Sequence, residues 1–117
     1  MTVLTSELLA ALEESATTVE TAKTLPPVIY TSEEFLAFEK DALYAHEWLC
    51  LGRASRIPEP GDYFTVDVIG EPLVVARGKD GTIRVMSAVC QHRGMVVVEG
   101  EGKANTFKCP YLSLIHI

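Results

Sequence analysis

Positive charge and long apolar runs are both scarce in this sequence. Lysine and arginine together number 10 against 16 acidic residues, which gives a formal net charge of -6. Phosphate groups are bound by clustered positive charge, and no basic block is present, so we expect no nucleic-acid partner. No apolar run approaches the roughly 20 residues that cross a bilayer, so we expect no membrane partner either.

Cysteine is also scarce, with three in 117 residues, and the odd number argues against a disulfide framework. The first basic residue is Lys23, so the sequence shows no charged start of a secretory signal peptide. In a reducing cytosol, cysteines more often bind a metal or stay buried than form disulfides. We therefore expect a cytoplasmic protein with one domain and a modest core. Cys50, inside an apolar run, is expected to be a buried strand thiol.

Helical periodicity is confined to the N-terminal part of the chain. Residues 1–23 are predicted to form an N-terminal helical arm, because Leu8, Leu9 and Leu12 share one helical stripe. Residues 24–47 are predicted to be a linker followed by a lead-in helix. After that helix, the period of the apolar residues is expected to change from helical to strand-like.

Proline and threonine set the expected boundaries of the lead-in region. The paired prolines of TLPPVIY predict an extended linker, because proline lacks the amide donor that a helix interior needs. Thr31, followed three residues later by Glu34, predicts the capping box of a helix. His46 is expected near the C-terminal carbonyls of that helix, without a ligand role. Trp48 is expected in the core or in an interface.

From about Trp48 onward, the apolar residues follow a strand period. YFTVDVIG places Phe64, Val66 and Val68 on one face. An Asp-Gly pair between the next two apolar runs predicts a tight hairpin. The expected strands after YFTVDVIG are EPLVVARG, TIRVMSAV, GMVVVEG and NTFKC, and WLCLGRA is an expected strand before it. This pattern predicts a mainly β fold with N-terminal helices, a small antiparallel β barrel or sandwich.

One segment after a predicted strand carries metal-binding residue types. VCQHRGM places Cys90 and His92 two residues apart. Alternate residues of an extended loop point the same way, so a thiolate and an imidazole are expected to reach one site. Gly94 is expected to let the backbone fold back tightly around it.

A second segment of this kind follows at the length of one hairpin. FKCPY brings Cys109 after a spacer of sixteen residues from His92, and Pro110 fixes the turn beyond the cysteine. A lone Cys-x-His pair is a weak signal, because a buried cysteine beside an exposed histidine is common. The pair together with Cys-Pro-Tyr is much more specific.

The combination CQHRG, spacer and CPY resembles the Rieske iron–sulfur motif, Cys-x-His followed by Cys-x-x-His. The lead-in LPPVIYTSEEFLAFEKDALYAHEWLCLGRASRIPEPGDY is similar to that of Rieske-type oxygenases. These are the ring-hydroxylating dioxygenase α subunits and their monooxygenase relatives. The resemblance covers residues 24–111 and implies that residues 48–111 are a partial Rieske domain.

The resemblance implies a [2Fe–2S] cluster with Cys90 and Cys109 on one iron and His92 on the other. A second histidine is expected at position 112, where the sequence has Leu112. Imidazole ligands raise the reduction potential above that of all-cysteine ferredoxins.

The resemblance also implies what lies around this domain in the whole protein. A reductase or ferredoxin would donate the electron, and the whole protein would be a homo- or hetero-oligomer. A mononuclear non-haem iron in a separate catalytic domain would receive the electron and activate O₂. This chain alone is then expected not to catalyse oxygenation.

Two other function classes stay open on the residues alone. A stand-alone Rieske ferredoxin would use the same ligands, although such a carrier has no need of the long helical lead-in. A zinc-binding interaction module would also use these residues, since cysteine and histidine suit tetrahedral zinc.

The segment after Tyr111 departs from the motif. Residues 112–117, LSLIHI, match the translation of CTGTCTCTTATACACATC, the mosaic end of a transposon used to fragment DNA for sequencing. We therefore predict that residues 112–117 are adapter read-through and do not treat His116 as a ligand. The strands beyond the second loop are then expected to be missing, which leaves the barrel incomplete at its C-terminus.

Overall fold

A computed structural model of the chain describes residues 3–92 and 94–108. The chain divides into two units, one up to Leu49 and the other from Cys50. None of the helices among the described residues is long and apolar enough to cross a bilayer.

The first unit is helical. The Thr5 hydroxyl accepts a hydrogen bond from the Leu8 amide at 3.2 Å, so the first helix begins at a capped end. Phe35 is buried, with its ring centroid 5.9 Å from that of Phe38. The helices are α1 (Ser6–Glu13), α2 (Pro27–Thr31) and α3 (Glu33–Glu39), and a π-helical turn (Lys40–Tyr44) continues α3.

The paired prolines begin a helix, so the prediction of an extended linker is wrong at this point. Pro26 is the N-cap of α2 and Pro27 is its first residue. The first turn of a helix leaves its amides without intrahelical partners, so the missing proline N–H costs nothing there. Thr31 is the last residue of α2, and its hydroxyl donates to the Pro27 carbonyl at 3.2 Å.

The N-cap of α3 is Ser32, one residue later than predicted. The Ser32 hydroxyl accepts a hydrogen bond from the Phe35 amide at 3.1 Å. The capping box predicted from Thr31 and Glu34 is therefore wrong. Both Thr31 and Ser32 have a suitable hydroxyl, but Thr31 is part of the last turn of α2, so Ser32 is the cap.

The second unit is built on one antiparallel sheet, which confirms the predicted mainly β fold. β1 pairs with β2 over six residues, from Tyr63↔Ala76 to Val68↔Glu71. Among the described residues the sheet stays open, with β3 and β4 at its edges. The strands are β1 (Asp62–Val68), β2 (Glu71–Arg77), β3 (Ile83–Ser87) and β4 (Glu101–Lys103), in the order β3-β2-β1-β4.

Three of the predicted strands do not form as expected. One of them is NTFKC, whose described residues 105–108 belong to no strand of the sheet. WLCLGRA pairs with no strand, and Cys50 is exposed, so its expected burial is wrong. Trp48 is fully exposed, so a core position is wrong for it, and an interface position stays a prediction. A short apolar run without alternation does not by itself specify a strand. GMVVVEG contributes only the isolated bridge Val89↔Val96, and the strand that pairs with β1 is Glu101–Lys103.

The two faces of the sheet carry separate apolar clusters, because successive strand residues point to opposite faces. One face, called here the Phe107 face, buries Val74, Ala76, Ala88 and Phe107. The other, called the Phe64 face, buries Ile57, Phe64 and Val75. Val66 packs against the same cluster, so the predicted shared face of Phe64 and Val66 is confirmed.

The Phe64 face is closed by an arginine. The Arg56 guanidinium lies 4.1 Å from the centroid of the Phe64 ring, within the range of a cation–π contact. Arg56 also pairs with Glu101 at 2.9 Å, which links the 3₁₀ turn at Ala54–Arg56 to β4.

The Asp-Gly hairpin between β2 and β3 forms as predicted. The Gly78 amide donates to the Thr82 carbonyl at 2.9 Å, and Gly81 has a φ of +80°. The Asp80 carboxylate accepts from the Thr82 amide at 3.0 Å and pairs with Arg84 at 2.6 Å. The hydrogen bond from Arg84, and next the one from Thr82, hold the pKa of Asp80 well below its usual range.

The Asp80 contacts make hairpin stability dependent on pH. A carboxyl group whose pKa is lower in the folded state stabilises that state above its unfolded pKa, near 3.8, and this contribution fades as pH falls through the folded pKa. We expect Asp80→Asn to lower the melting temperature slightly at pH 6 and much less at pH 2, measured by circular dichroism. Arg84→Gln is expected to reduce the pH dependence as well. Equal losses at both pH values would contradict this assignment.

The β1–β2 turn holds a β-branched residue in a strained conformation. Ile69 has a φ of +53° and Gly70 has a φ of +89°, the pattern of a two-residue type I′ turn. The Gly70 amide donates to the Asp67 carboxylate at 2.9 Å, which holds the turn closed. Left-handed backbone costs a non-glycine residue about 1–2 kcal/mol, and a β-branched side chain tolerates it worst.

Replacing Ile69 with asparagine is expected to stabilise the protein by about 1 kcal/mol, because asparagine tolerates positive φ. The measurement is the free energy of unfolding from urea titration. Ile83→Asn is the matched control, since Ile69 and Ile83 are both 37% exposed and Ile83 lies within β3. We expect the control to be destabilised. A stabilised control would show that replacing an exposed apolar side chain, and not relief of backbone strain, stabilises the protein.

Candidate metal centre

Cys90 begins a tight turn that backbone hydrogen bonds close on both sides. The Cys90 amide donates to the Met95 carbonyl at 2.7 Å, and the Gly94 amide donates to the Cys90 carbonyl at 2.9 Å. Gly94 has a φ of +66°, in the left-handed region. The expected folding back of the chain at Gly94 is confirmed.

The two predicted ligands in the turn, Cys90 and His92, differ in burial. Cys90 is 1% exposed, whereas His92 lies on the surface. The prediction of an extended loop with both side chains on one side is wrong here, because residues 91–92 form a turn. The thiol is enclosed by protein, and the imidazole faces outward.

The sheet fixes the base of this turn. The Ala88 amide donates to the Pro72 carbonyl at 2.9 Å, and the Val97 amide donates to the Ala88 carbonyl at 2.7 Å. Val89 bridges Val96, and its amide donates to the Ser87 hydroxyl at 3.2 Å. These bonds extend the chain beyond β3 and deliver Cys90 to the edge of the Phe107 face.

The second predicted ligand loop starts from a buried anchor. Phe107 is 5% exposed and meets the Tyr63 ring edge to face, with centroids 5.1 Å apart and an interplanar angle of 90°. Cys109, Pro110 and position 112 lie outside the described residues, so their assignment stays a prediction. Among residues 3–92 and 94–108, no group of three metal-binding side chains comes together.

Among the described residues, the other candidates, His46 and Cys50, do not belong to a metal-binding group. His46 is exposed, and its amide donates to the Leu43 carbonyl at 3.0 Å, near the helix end where it was expected. The Cys50 thiol lies 4.0 Å from the Gly52 carbonyl on the surface. His116 lies outside the described residues. The Met95 carbonyl, which accepts from the Cys90 amide, and the Tyr63 ring, which packs on Phe107, were not predicted, because neither side chain is a metal-ligand type in the motif.

The Cys90 turn fits part of a [2Fe–2S] site. A Rieske cluster places thiolates on one iron and imidazoles on the other, so its two ligand types need not meet at one atom. A buried thiol and an exposed imidazole on one turn suit that arrangement. The whole sequence offers Cys90, His92 and Cys109, and Leu112 stands where a fourth ligand would be.

Gly94→Ala is expected to loosen the Cys90 turn. A Cβ at Gly94 would meet no atom within 4 Å, so the cost is conformational, about 1 kcal/mol. We expect faster hydrogen exchange at the Cys90 amide, measured by NMR. Gly100→Ala is the matched control, because Gly100 has a φ of +74° and equally open surroundings. Equal acceleration at the Cys90 amide in both variants would contradict a local role.

Known proteins are similar to this chain in sequence. The carnitine monooxygenase oxygenase subunit of Acinetobacter baumannii is 42% identical over 100 residues, which are 85% of this chain and 27% of that protein. The benzene 1,2-dioxygenase α subunit of Pseudomonas putida is 38% identical over 108 residues, which are 92% of this chain and 23% of that protein. The chain therefore spans about a quarter of the length of these relatives.

Solved structures show the same similarity in three dimensions. The quaternary ammonium Rieske monooxygenase CntA, in complex with L-carnitine, matches with a TM-score of 0.71 and 43% identity over 80% of this chain and 27% of that chain. Naphthalene 1,2-dioxygenase from Rhodococcus sp., bound to indole, matches with a TM-score of 0.74 and 31% identity over 96% of this chain and 26% of that chain.

The family comparison covers the sheet and the predicted ligand loops. The Rieske [2Fe–2S] domain family matches residues 47–113, more than half of the 117 residues. The resemblance of the CQHRG and CPY motifs to Rieske-type oxygenases is thus confirmed. The matched residues include the four strands and the Cys90 turn, and the match shows that the chain belongs to the Rieske [2Fe–2S] domain family.

Proposed function

We propose that this chain is the electron-transfer domain of a Rieske-type oxygenase α subunit. The observation that carries the proposal is the Cys90 turn, which encloses a thiol and presents an imidazole at the surface. A [2Fe–2S] cluster bound there would accept one electron and pass it on. Tetrahedral zinc, by contrast, needs its thiolate and imidazole ligands at a single ion.

The residues of the turn have distinct roles in this proposal. The buried Cys90 thiolate would be a ligand to one iron of the cluster, shielded from water by the surrounding protein. The exposed His92 imidazole would be a ligand to the other iron, on a surface that redox partners can approach. The two backbone hydrogen bonds that close the turn would hold the backbone that carries both ligands in place.

The partners follow from the oxygenase class. The proposed electron donor is a reductase or ferredoxin, and the proposed acceptor is a mononuclear non-haem iron in a catalytic domain of the whole protein, an oligomer in the cytoplasm. The relatives include proteins named for carnitine and for benzene. We assign this chain to their shared electron-transfer step, since the described residues hold no oxygenation site.

Position 112 decides whether the chain retains a cluster. Three ligands leave one iron open to water and to loss, and metal binding is coupled to folding in small sites. We expect the chain with Leu112 to keep little iron and sulfide after anaerobic reconstitution. Leu112→His is expected to raise the content toward two irons and two sulfides per chain, with the rhombic paramagnetic resonance signal of a reduced, histidine-ligated cluster.

Cysteine substitutions in the Leu112→His background provide the control. We expect Cys90→Ser to abolish cluster retention and Cys50→Ser to leave it unchanged, because Cys50 lies on the surface away from the Cys90 turn in sequence. A full cluster in the unmodified chain would show that the three-ligand argument is wrong. Zinc retention without iron or sulfide in Leu112→His would overturn the electron-transfer proposal.

A further inference from the structure

The two edge strands of the sheet differ in the side chains that they present. β4 carries Glu101 and Lys103, and each of these charged residues takes part in an ion pair, at 2.9 Å and 3.8 Å. β3 presents apolar side chains instead, with Ile83 37% exposed and Val85 50% exposed. Charged side chains on an edge strand discourage pairing with another chain. The β4 edge is therefore guarded against such pairing, and the β3 edge is not.

The hydrogen-bond pattern of the sheet directs alternate residues of β3 away from β2. Just beyond the paired strands, the Gly78 amide donates to the Thr82 carbonyl at 2.9 Å. Positions that bond across an antiparallel pair alternate with positions that do not. By this alternation, the backbone groups that point outward are those of Ile83, Val85 and Ser87. Among the described residues, β3 pairs with β2 alone, so these groups face an open edge.

We infer that this edge of β3 binds a second copy of the chain, whose own β3 pairs with it antiparallel and joins two sheets into one. A two-fold axis at Val85 puts Val85 opposite its counterpart and Ile83 opposite Ser87 of the second copy. Each of these pairs exchanges two backbone hydrogen bonds, because the same edge supplies the donors and the acceptors. The contact uses no predicted cluster ligand, so it is independent of the proposed electron transfer.

Charge favours the register that is centred on Val85. An axis one residue earlier would place Arg84 opposite Arg84 of the second copy, and like charges directly opposite each other are destabilising. With the axis at Val85, Arg84 lies opposite Met86 of the second copy, and its guanidinium remains paired with Asp80 at 2.6 Å. Val85 is the register partner of Val75, so both belong to the Phe64 face. The pairing thus extends an apolar face across the axis.

Sedimentation equilibrium of the full chain tests this contact. Cys50→Ser serves as the parent background, since it removes the exposed thiol that could link two copies by a disulfide. We expect a concentration-dependent monomer–dimer equilibrium in the micromolar range, because a single pair of short strands makes a small interface.

A proline at the axis separates the outer edge of β3 from its pairing with β2. Val85→Pro removes an amide that points outward, and proline is tolerated on an edge strand where the missing N–H faces solvent. We expect it to raise the dissociation constant of the dimer at least about tenfold. Ile69→Lys is the control, because Ile69 is also exposed and apolar but lies in the β1–β2 turn. The control is expected to dimerise like the parent.

Opposite charges at the axis test the register itself. Val85→Lys and Val85→Glu each place like charges opposite each other, so we expect each variant alone to dimerise about tenfold more weakly than the parent. Mixing the two variants is expected to restore dimerisation, with a gain that falls as salt is added. A variant that had failed to fold would not recover on mixing, so restoration also shows that the strands are intact.

Three results would overturn the β3 contact. The first is a parent chain that stays monomeric up to millimolar concentration, on the order of a hundred times the expected dissociation constant or more. The second is a dimer, or open-ended growth, that Val85→Pro leaves unchanged. The third is a mixture of the two charge variants that is no more dimeric than either variant alone.

Discussion

The pairing of β1 with β2 is the constraint on which the rest of the second unit depends. Its six-residue register sets Tyr63 toward one face and Phe64 toward the other. The Phe64 face receives Ile57 and the Arg56 guanidinium, and the Phe107 face receives Ala88 and Phe107. A one-residue slip of β1 against β2 would exchange the faces to which Tyr63 and Phe64 point.

Much of this arrangement is readable from local sequence signals. Alternation in YFTVDVIG and the Asp-Gly pair after EPLVVARG specify a strand and a hairpin through backbone rules that need no distant partner. The Cys90–His92 spacing with Gly94 indicates the candidate centre in the same way, because its turn closes through hydrogen bonds between residues at most five apart. The family match follows from those residues.

The predictions of strands and caps fail where a partner distant in sequence, or a neighbouring helix, determines the local structure. WLCLGRA is as apolar as a strand, yet no strand pairs with it, so Trp48 stays exposed. Thr31 and Ser32 are both suitable N-cap residues. Because Thr31 is the last residue of α2, Ser32 is the N-cap of α3. β4 at Glu101–Lys103 has little strand character of its own and is defined by β1. The edge-to-face contact of Tyr63 with Phe107 likewise joins residues far apart in the chain.

The exposure of Trp48 has a spectroscopic consequence. It is the only tryptophan in the chain, and its side chain is fully solvated before unfolding begins. Its emission should already resemble that of indole in water, so loss of the sheet would barely change the wavelength or intensity. Tyrosine absorbance is the more informative optical probe of the second unit, because Tyr63 lies against Phe107 and would move into water when the Phe107 face opens.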